Sequence, residues 1–255
     1  MFEFFFGEFS LLQIGILIIA AILIGINKTG IPGLGLVPVI MLVFTFESKL
    51  STGLQLMMLC MADLAAVAWY HKTANWKIIA KLLPAALVGI VIGSCVIHHL
   101  DQTAMMLLMG IVILILSGIS VIREIWWNDA EKIPSHWSFA ICTGLLAGFS
   151  TQIANAAGPI MALYLLAMRL PKMEYMGTAA WYFLILNWIK LPIFVYEGRI
   201  TLESCKADLA MIPFLLIGAV LGIIVLHKMP KKVFNWIIVS LSAVASVYMI
   251  IKSLI

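Results

Sequence analysis

Gly25-Ile-Asn-Lys-Thr-Gly-Ile-Pro-Gly-Leu-Gly35 interrupts one hydrophobic half of the chain, and Gly148-Phe-Ser-Thr-Gln-Ile-Ala-Asn-Ala-Ala-Gly158 interrupts the other at the corresponding place. Each stretch sets small and polar residues between two apolar runs, so each reads as a break in a hydrophobic helix. Beyond the breaks the halves keep matching. Pro84, Gly89, Gly93 and His98 recur at one fixed offset as Pro213, Gly218, Gly222 and His227, and Gly53 and Asp63 line up with Gly177 and Asn187. Duplicated halves, each opening on a short broken hydrophobic segment, are the sequence pattern of many secondary transporters.

Composition sets the solvent. Hydrophobic residues make up 64% of the 255 and charged residues 11%, whereas soluble domains carry about 45–50% and about 25%. So much apolar surface fits a bilayer, and without β-barrel alternation it fits a helical bundle. The net charge of +4 reads as loop charge on a membrane protein; no nucleic-acid partner is expected. Cys60, Cys95, Cys142 and Cys205 have no metal or CxxC spacing and read as small hydrophobes. The scattered methionines read as adaptable packing. No HExxH, GxSxG, Walker or dinucleotide motif is present, so neither an enzyme nor a cofactor site is expected. The acidic, aromatic start does not read as a cleavable signal.

The apolar runs fall at 9–26, 33–46, 54–70, 79–98, 103–122, 137–149, 156–168, 176–196, 207–227 and 232–251. Runs 33–46, 137–149 and 156–168 are short for a bilayer crossing, which asks for about 20 residues. The expected fold is an all-α polytopic membrane protein built as an inverted repeat of two five-segment halves. Each half is a broken, re-entrant-like helical hairpin followed by three transmembrane helices. Repeat one spans 1–122, a cytoplasmic linker 123–136, and repeat two 137–255.

Charge predicts the orientation. Lys72, Lys77 and Lys81 follow the third run of the first half, while the matching stretch 197–208 balances Arg199 and Lys206 against Glu197, Glu203 and Asp208. One run later the bias reverses: His98, His99 and Asp101 face Lys228, Lys231 and Lys232. The positive-inside rule then turns the halves upside down relative to each other and puts both termini outside. Trp69, Trp76, Trp126, Trp127 and Trp137 fall near the cytoplasmic ends, as an aromatic belt would. A bacterial inner-membrane location is expected, with monomer and homodimer both open.

Breaks at membrane depth leave backbone amides that only protein or a water-filled cavity can satisfy. With inverted hairpins the tips meet near the midplane, and the helix leaving each tip points its positive end at the shared space. That arrangement suits a small anion. Pro32, Pro38 and Pro159 suit the first turns of the outgoing helices. The candidate binding residues are Lys28, Thr29, Gly30, Gly33 and Gly35 at the first tip, beside Asn27, and Ser150, Thr151, Gln152, Asn155 and Gly158 at the second. A plainer reading, in which the polar groups only cap broken helices, stands beside this one.

Lys190 lies well inside run 176–196, one turn after Asn187. A lysine there costs about 2.5–3.5 kcal/mol on insertion scales, so it is expected to face a partner or a cavity. Lys190 and Asn187 join the binding set; the other readings of Lys190 are snorkelling and a salt bridge to Asp63. Lys28 is either a ligand or reaches a cytoplasmic vestibule. Asp63 is either a proton carrier or the partner of a lysine. His71, His98, His136 and His227 read as interfacial caps. Trp181, Tyr164 and Tyr182 either line the cavity or pack.

The two breaks together resemble the TauE/SafE family of sulfite exporters, also called the toluene-sulfonate uptake permease family. GINKTGIPGLGLVPVIML is similar to that family's first glycine-rich stretch. GLLAGFSTQIANAAGPIMALYLL, followed by GTAAWYFLILNWIKLP with its Asn187 and Lys190, is similar to the second. One departure is that Asn155-Ala156-Ala157 replaces part of the second glycine-rich stretch. The resemblance covers nearly the whole chain. It implies transport of sulfite, organosulfonates or similar small anions, coupled to the proton gradient. A passive anion channel, an intramembrane enzyme and a non-transporting scaffold are the rival classes.

Overall fold

The computed structural model describes residues 5–7, 9–30, 34–97, 99–101, 137–168 and 170–225, with scattered residues between 103 and 118 and between 244 and 251. Among the described residues all regular structure is helical. The first half contains α1 (Leu11–Thr29), α2 (Leu36–Thr45), α3 (Ser48–Tyr70) and α4 (Trp76–Ile97), with a 3-10 turn at His71–Thr73. The second contains α5 (Trp137–Ala154), α6 (Gly158–Ala167), α7 (Lys172–Tyr196), α8 (Leu202–Ala210) and α9 (Ile212–Val225). Among the described residues five helices are long and apolar enough to cross a membrane, or six with the bent pair α8–α9. The predicted linker 123–136, most of run 232–251, and Pro32, Gly33, His98, His136 and His227 lie outside the described residues.

The first arm of each break is longer than its apolar run. α1 has 19 residues and α5 has 18, so at about 1.5 Å per residue each covers most of a hydrocarbon core of about 30 Å. The expectation that 137–149 falls short of a crossing is corrected. Ser150, Thr151 and Gln152 continue the helix, and Lys190 and Glu197 on other parts of the chain meet Thr151 and Gln152 in the interior. The outgoing helices α2 and α6 are short, 10 residues each. A capping box between Ser10 and Gln13 starts α1.

Run 207–227 is not one straight helix. α8 and α9 meet at a bend of 48°. Pro213, in the first turn of α9, has no N–H to donate to the carbonyl of Leu209, and the chain turns just before it. The matching Pro84 sits inside an unbroken α4.

Helices of one half pack on helices of the other. Gly25 and Gly30 on α1 press against Gly218 and Gly222 on α9, where a Cβ on any of the four would run into backbone or into Thr29. Gly144 and Gly148 on α5 press against Leu82, Ala86 and Gly89 on α4, and Gly93 meets Gln152. Residue numbers rise together along both seams, so each pair runs parallel. Such close small-residue seams are how helices gain dispersion contact in lipid. α3 and α7 instead run antiparallel: Gly53 abuts Arg199, Asp63 meets Asn187, and Gly177 abuts Tyr70 and Thr73. Large apolar side chains such as Val91, Val195 and Val220 are exposed on the outside, as in a protein solvated by lipid.

Candidate functional site

Both breaks open onto one cavity. Asn27, Lys28, Gly35 and Leu36 line it from the first break, and Thr151, Asn155, Ala156 and Gly158 from the second. Gln55 and Leu59 on α3, Met161 and Ala162 on α6, and the face of α7 from Tyr175 to Asn187 complete the wall. The starts of α2 and α6 therefore sit on the same space. The first N–H groups of a helix lack intrahelical partners and carry its positive end; α2 begins at Gly35 with no side-chain cap. Asn155, with φ of 51°, turns the chain from α5 towards α6.

Lys28 brings a full charge to this wall. Its ammonium lies 2.6 Å from Asp63 Oδ1 and 4.3 Å from the centre of the Phe183 ring. Asp63 is wholly buried behind it, and its other oxygen accepts from Asn187 Nδ2 at 2.6 Å. The repeat-matched positions Asp63 and Asn187 thus touch each other. Of the two roles left open for Asp63, the geometry contains the lysine partner, and the partner is Lys28. Removing one member of a buried pair leaves an uncompensated charge, a loss of about 3–5 kcal/mol.

Lys190 stands elsewhere. It is fully buried and absent from the cavity wall. Its ammonium donates to Thr151 O at 2.9 Å, Thr151 Oγ1 at 2.8 Å and Asn155 Oδ1 at 2.7 Å. These bonds brace the end of α5, where Thr151 O also accepts from Asn155 N at 3.0 Å and a cation meets the negative end of the dipole. Asn155 is held from its other side by Nδ2 donating to Thr52 O at 2.9 Å.

Further along, Arg199 closes the end of the molecule. Its guanidinium pairs with Glu197 at 2.7 Å, donates to Gln152 O at 3.0 Å and lies 4.1 Å from the Phe194 ring centre. Glu197 also accepts from Ser94 Oγ on α4 and from Gln152 Nε2. At the first break the corresponding carbonyl, Thr29 O, accepts from Tyr70 Oη at 2.8 Å, and the Thr29 hydroxyl donates to Ala219 O at 2.7 Å.

The sequence-predicted residues divide accordingly. Lys28, Gly35, Thr151, Asn155, Gly158 and Asn187 come together at the cavity. Thr29, Gly30, Ser150, Gln152 and Lys190 lie off its wall, in helix-end contacts or seams, and Asp63 lies behind Lys28. The aromatics pack: Phe139 stacks on Tyr164, Tyr182 meets Phe183 edge-on, and Trp181 leans on Trp76 while donating to His71 O. Sequence reasoning missed Gln55 and the Glu197–Arg199 pair. Gln55 had a signal, since Gln55, Leu59 and Asp63 recur every four residues and share a helix face. Glu197 and Arg199 had none, because a charged pair after a span reads as loop.

The chain matches the family model described as sulfite exporter TauE/SafE over residues 17–249, which spans both breaks and every element of the cavity. It belongs to the TauE/SafE family. Comparisons with curated proteins and with solved structures find no match. TauE/SafE is a family of sulfite-exporter membrane transporters, and with its five or six apolar helices this member is an integral membrane protein.

Proposed function

We propose that this protein is a secondary transporter that carries a small anion, sulfite or an organosulfonate, across the bacterial inner membrane by alternating access. One observation carries the reading: two helix N-termini and Lys28 border a single cavity. Each contributes positive potential, and a tetrahedral or pyramidal oxyanion has oxygens enough for all three. Asn155, Thr151 and Asn187 offer neutral hydrogen bonds around it. Lys190 acts indirectly, by fixing Thr151 and Asn155.

The halves 1–122 and 137–255, joined by 123–136, form an inverted repeat in this reading. Support comes from α3 and α7, which occupy matched positions yet run antiparallel. Parallel seams between α1 and α9 and between α4 and α5 fit the same arrangement. α1–α2 and α5–α6 are the broken hairpins, and both chain termini face outward.

The cavity follows the first half of α7, from Tyr175 to Asn187. By loop charge that half is cytoplasmic, while the buried Arg199–Glu197–Gln152–Ser94 network seals the opposite end. In this reading the described conformation is the inward-facing state, and the outward-facing state requires that network to part. An anion at Lys28 competes with Asp63 for the ammonium, and a proton taken by Asp63 relieves the carboxylate left behind. Substrate and proton thereby become linked at one ion pair.

Radiolabelled sulfite counterflow into proteoliposomes tests the proposal, with taurine and sulfate as competitors. Saturable exchange is expected. Unsaturable conductance would establish a channel instead, chemical conversion of sulfite an enzyme, and no uptake of any of these anions would overturn the reading.

A further inference from the structure

Asp208 is used by nothing described above. It lies on α8 directly before the bend into α9, in a segment apolar enough to cross the membrane as a bent pair. It is fully buried, and neither carboxylate oxygen has a hydrogen-bond partner among the described residues. Its backbone carbonyl accepts from Met211 N at 3.0 Å.

Among the described residues the groups that face it are few. On α8 itself Cys205 is near, while Glu203 is exposed and Lys206, half-buried, is engaged elsewhere. α3 brings Cys60. α9 has no titratable residue between Ile212 and Val225, and the α1 residues in the core that holds Ala207 and Met211 are all apolar. The buried cations Lys28, Lys190 and Arg199 are held by Asp63, by the end of α5 and by Glu197. A carboxylate with no counter-charge in hydrocarbon is unstable as an anion, whereas a carboxylic acid needs far less from its surroundings.

We propose that Asp208 is a proton-binding site, separate from the anion cavity, that takes up and releases a proton during the transport cycle. The buried, unpartnered carboxyl beside the α8–α9 bend is the geometry that carries it. The proton passes between the Asp208 carboxyl and water, so charge and atoms balance without another reactant. The bend beside Asp208 provides a joint that can admit water from the outer side in the alternate state. The inference rests on the transport reading, since a proton cycle at Asp208 has a use only in that frame.

Infrared difference spectroscopy of the full chain in nanodiscs, titrated from acid to alkaline pH, reads the site without any substrate. Wild type is expected to show a carboxylic C=O band that Asp208→Asn removes and Asp208→Glu shifts. In proteoliposomes Asp208→Asn is expected to lose sulfite accumulation driven by a pH gradient while keeping sulfite counterflow. Absence of the band in wild type, its persistence in Asp208→Asn, or gradient-driven accumulation in Asp208→Asn at the wild-type level would overturn the proposal. Should Asp208→Asn not fold, the wild-type band and its shift in Asp208→Glu decide. If wild type exchanges no sulfite, the transport reading fails, and the infrared result still decides Asp208.

Discussion

The two breaks solve the same problem with different chemistry. Each ends a long helix inside the protein and must satisfy its last carbonyls. At the first, a tyrosine hydroxyl caps Thr29 O, and the lysine of the tip, Lys28, is free to stand at the cavity against Asp63. At the second, Lys190 on α7 and Arg199 just beyond it donate to the carbonyls of Thr151 and Gln152. Two buried lysines of equal charge thus differ in what they can offer a ligand. A cation whose donors are spent on neutral oxygens of the break itself supports the site's shape; one paired with a carboxylate at a cavity wall can change partners.

Predictions that sharpen or break this contrast run from large to small. Lys28→Met leaves Asp63 buried and unpaired, so chemical unfolding should show a loss of about 3–5 kcal/mol, and calorimetry should show sulfite binding abolished. Arg199→Met orphans Glu197 in the same way and should destabilise by nearly as much. The double variant Arg199→Met, Glu197→Met should recover most of that loss, which thermal unfolding can follow. Lys190→Met strips donors from the end of α5 and should cost about 1–3 kcal/mol while sulfite still binds. Loss of binding in a folded Lys190→Met would erase the distinction between the two lysines. Smallest is a pair of glycine variants. Gly222→Ala collides with Thr29 and the Ile26 backbone and should cost about 1–3 kcal/mol. Gly158→Ala meets nothing within 4 Å and should leave the melting temperature in place.

Much of this was legible in the sequence. Two breaks, their matched glycines and a shared polar space follow from composition and spacing, because glycine seams and polar tips are local signals. Partner choice is not local. Lys28 and Lys190 are both lysines in apolar runs, and nothing in either neighbourhood states that the first reaches Asp63 and the second Thr151. The extension of α5 through Gln152 was hidden for the same reason: polar residues end a hydrophobic run on paper but continue a helix when buried partners await them. Pro213 and Pro84 occupy matched positions, yet only the first stands at a bend, which a repeat argument cannot foresee.

The most direct test is calorimetric sulfite binding to purified Asp63→Asn and to the double variant Lys28→Gln, Asp63→Asn. The single change releases Lys28 from its carboxylate, and the double change removes both charges together, so neither leaves an unpaired anion in the interior. The account predicts tighter sulfite binding than wild type in the first and none in the second. Equal binding in wild type and the double variant would contradict it, since the anion would then be held without Lys28.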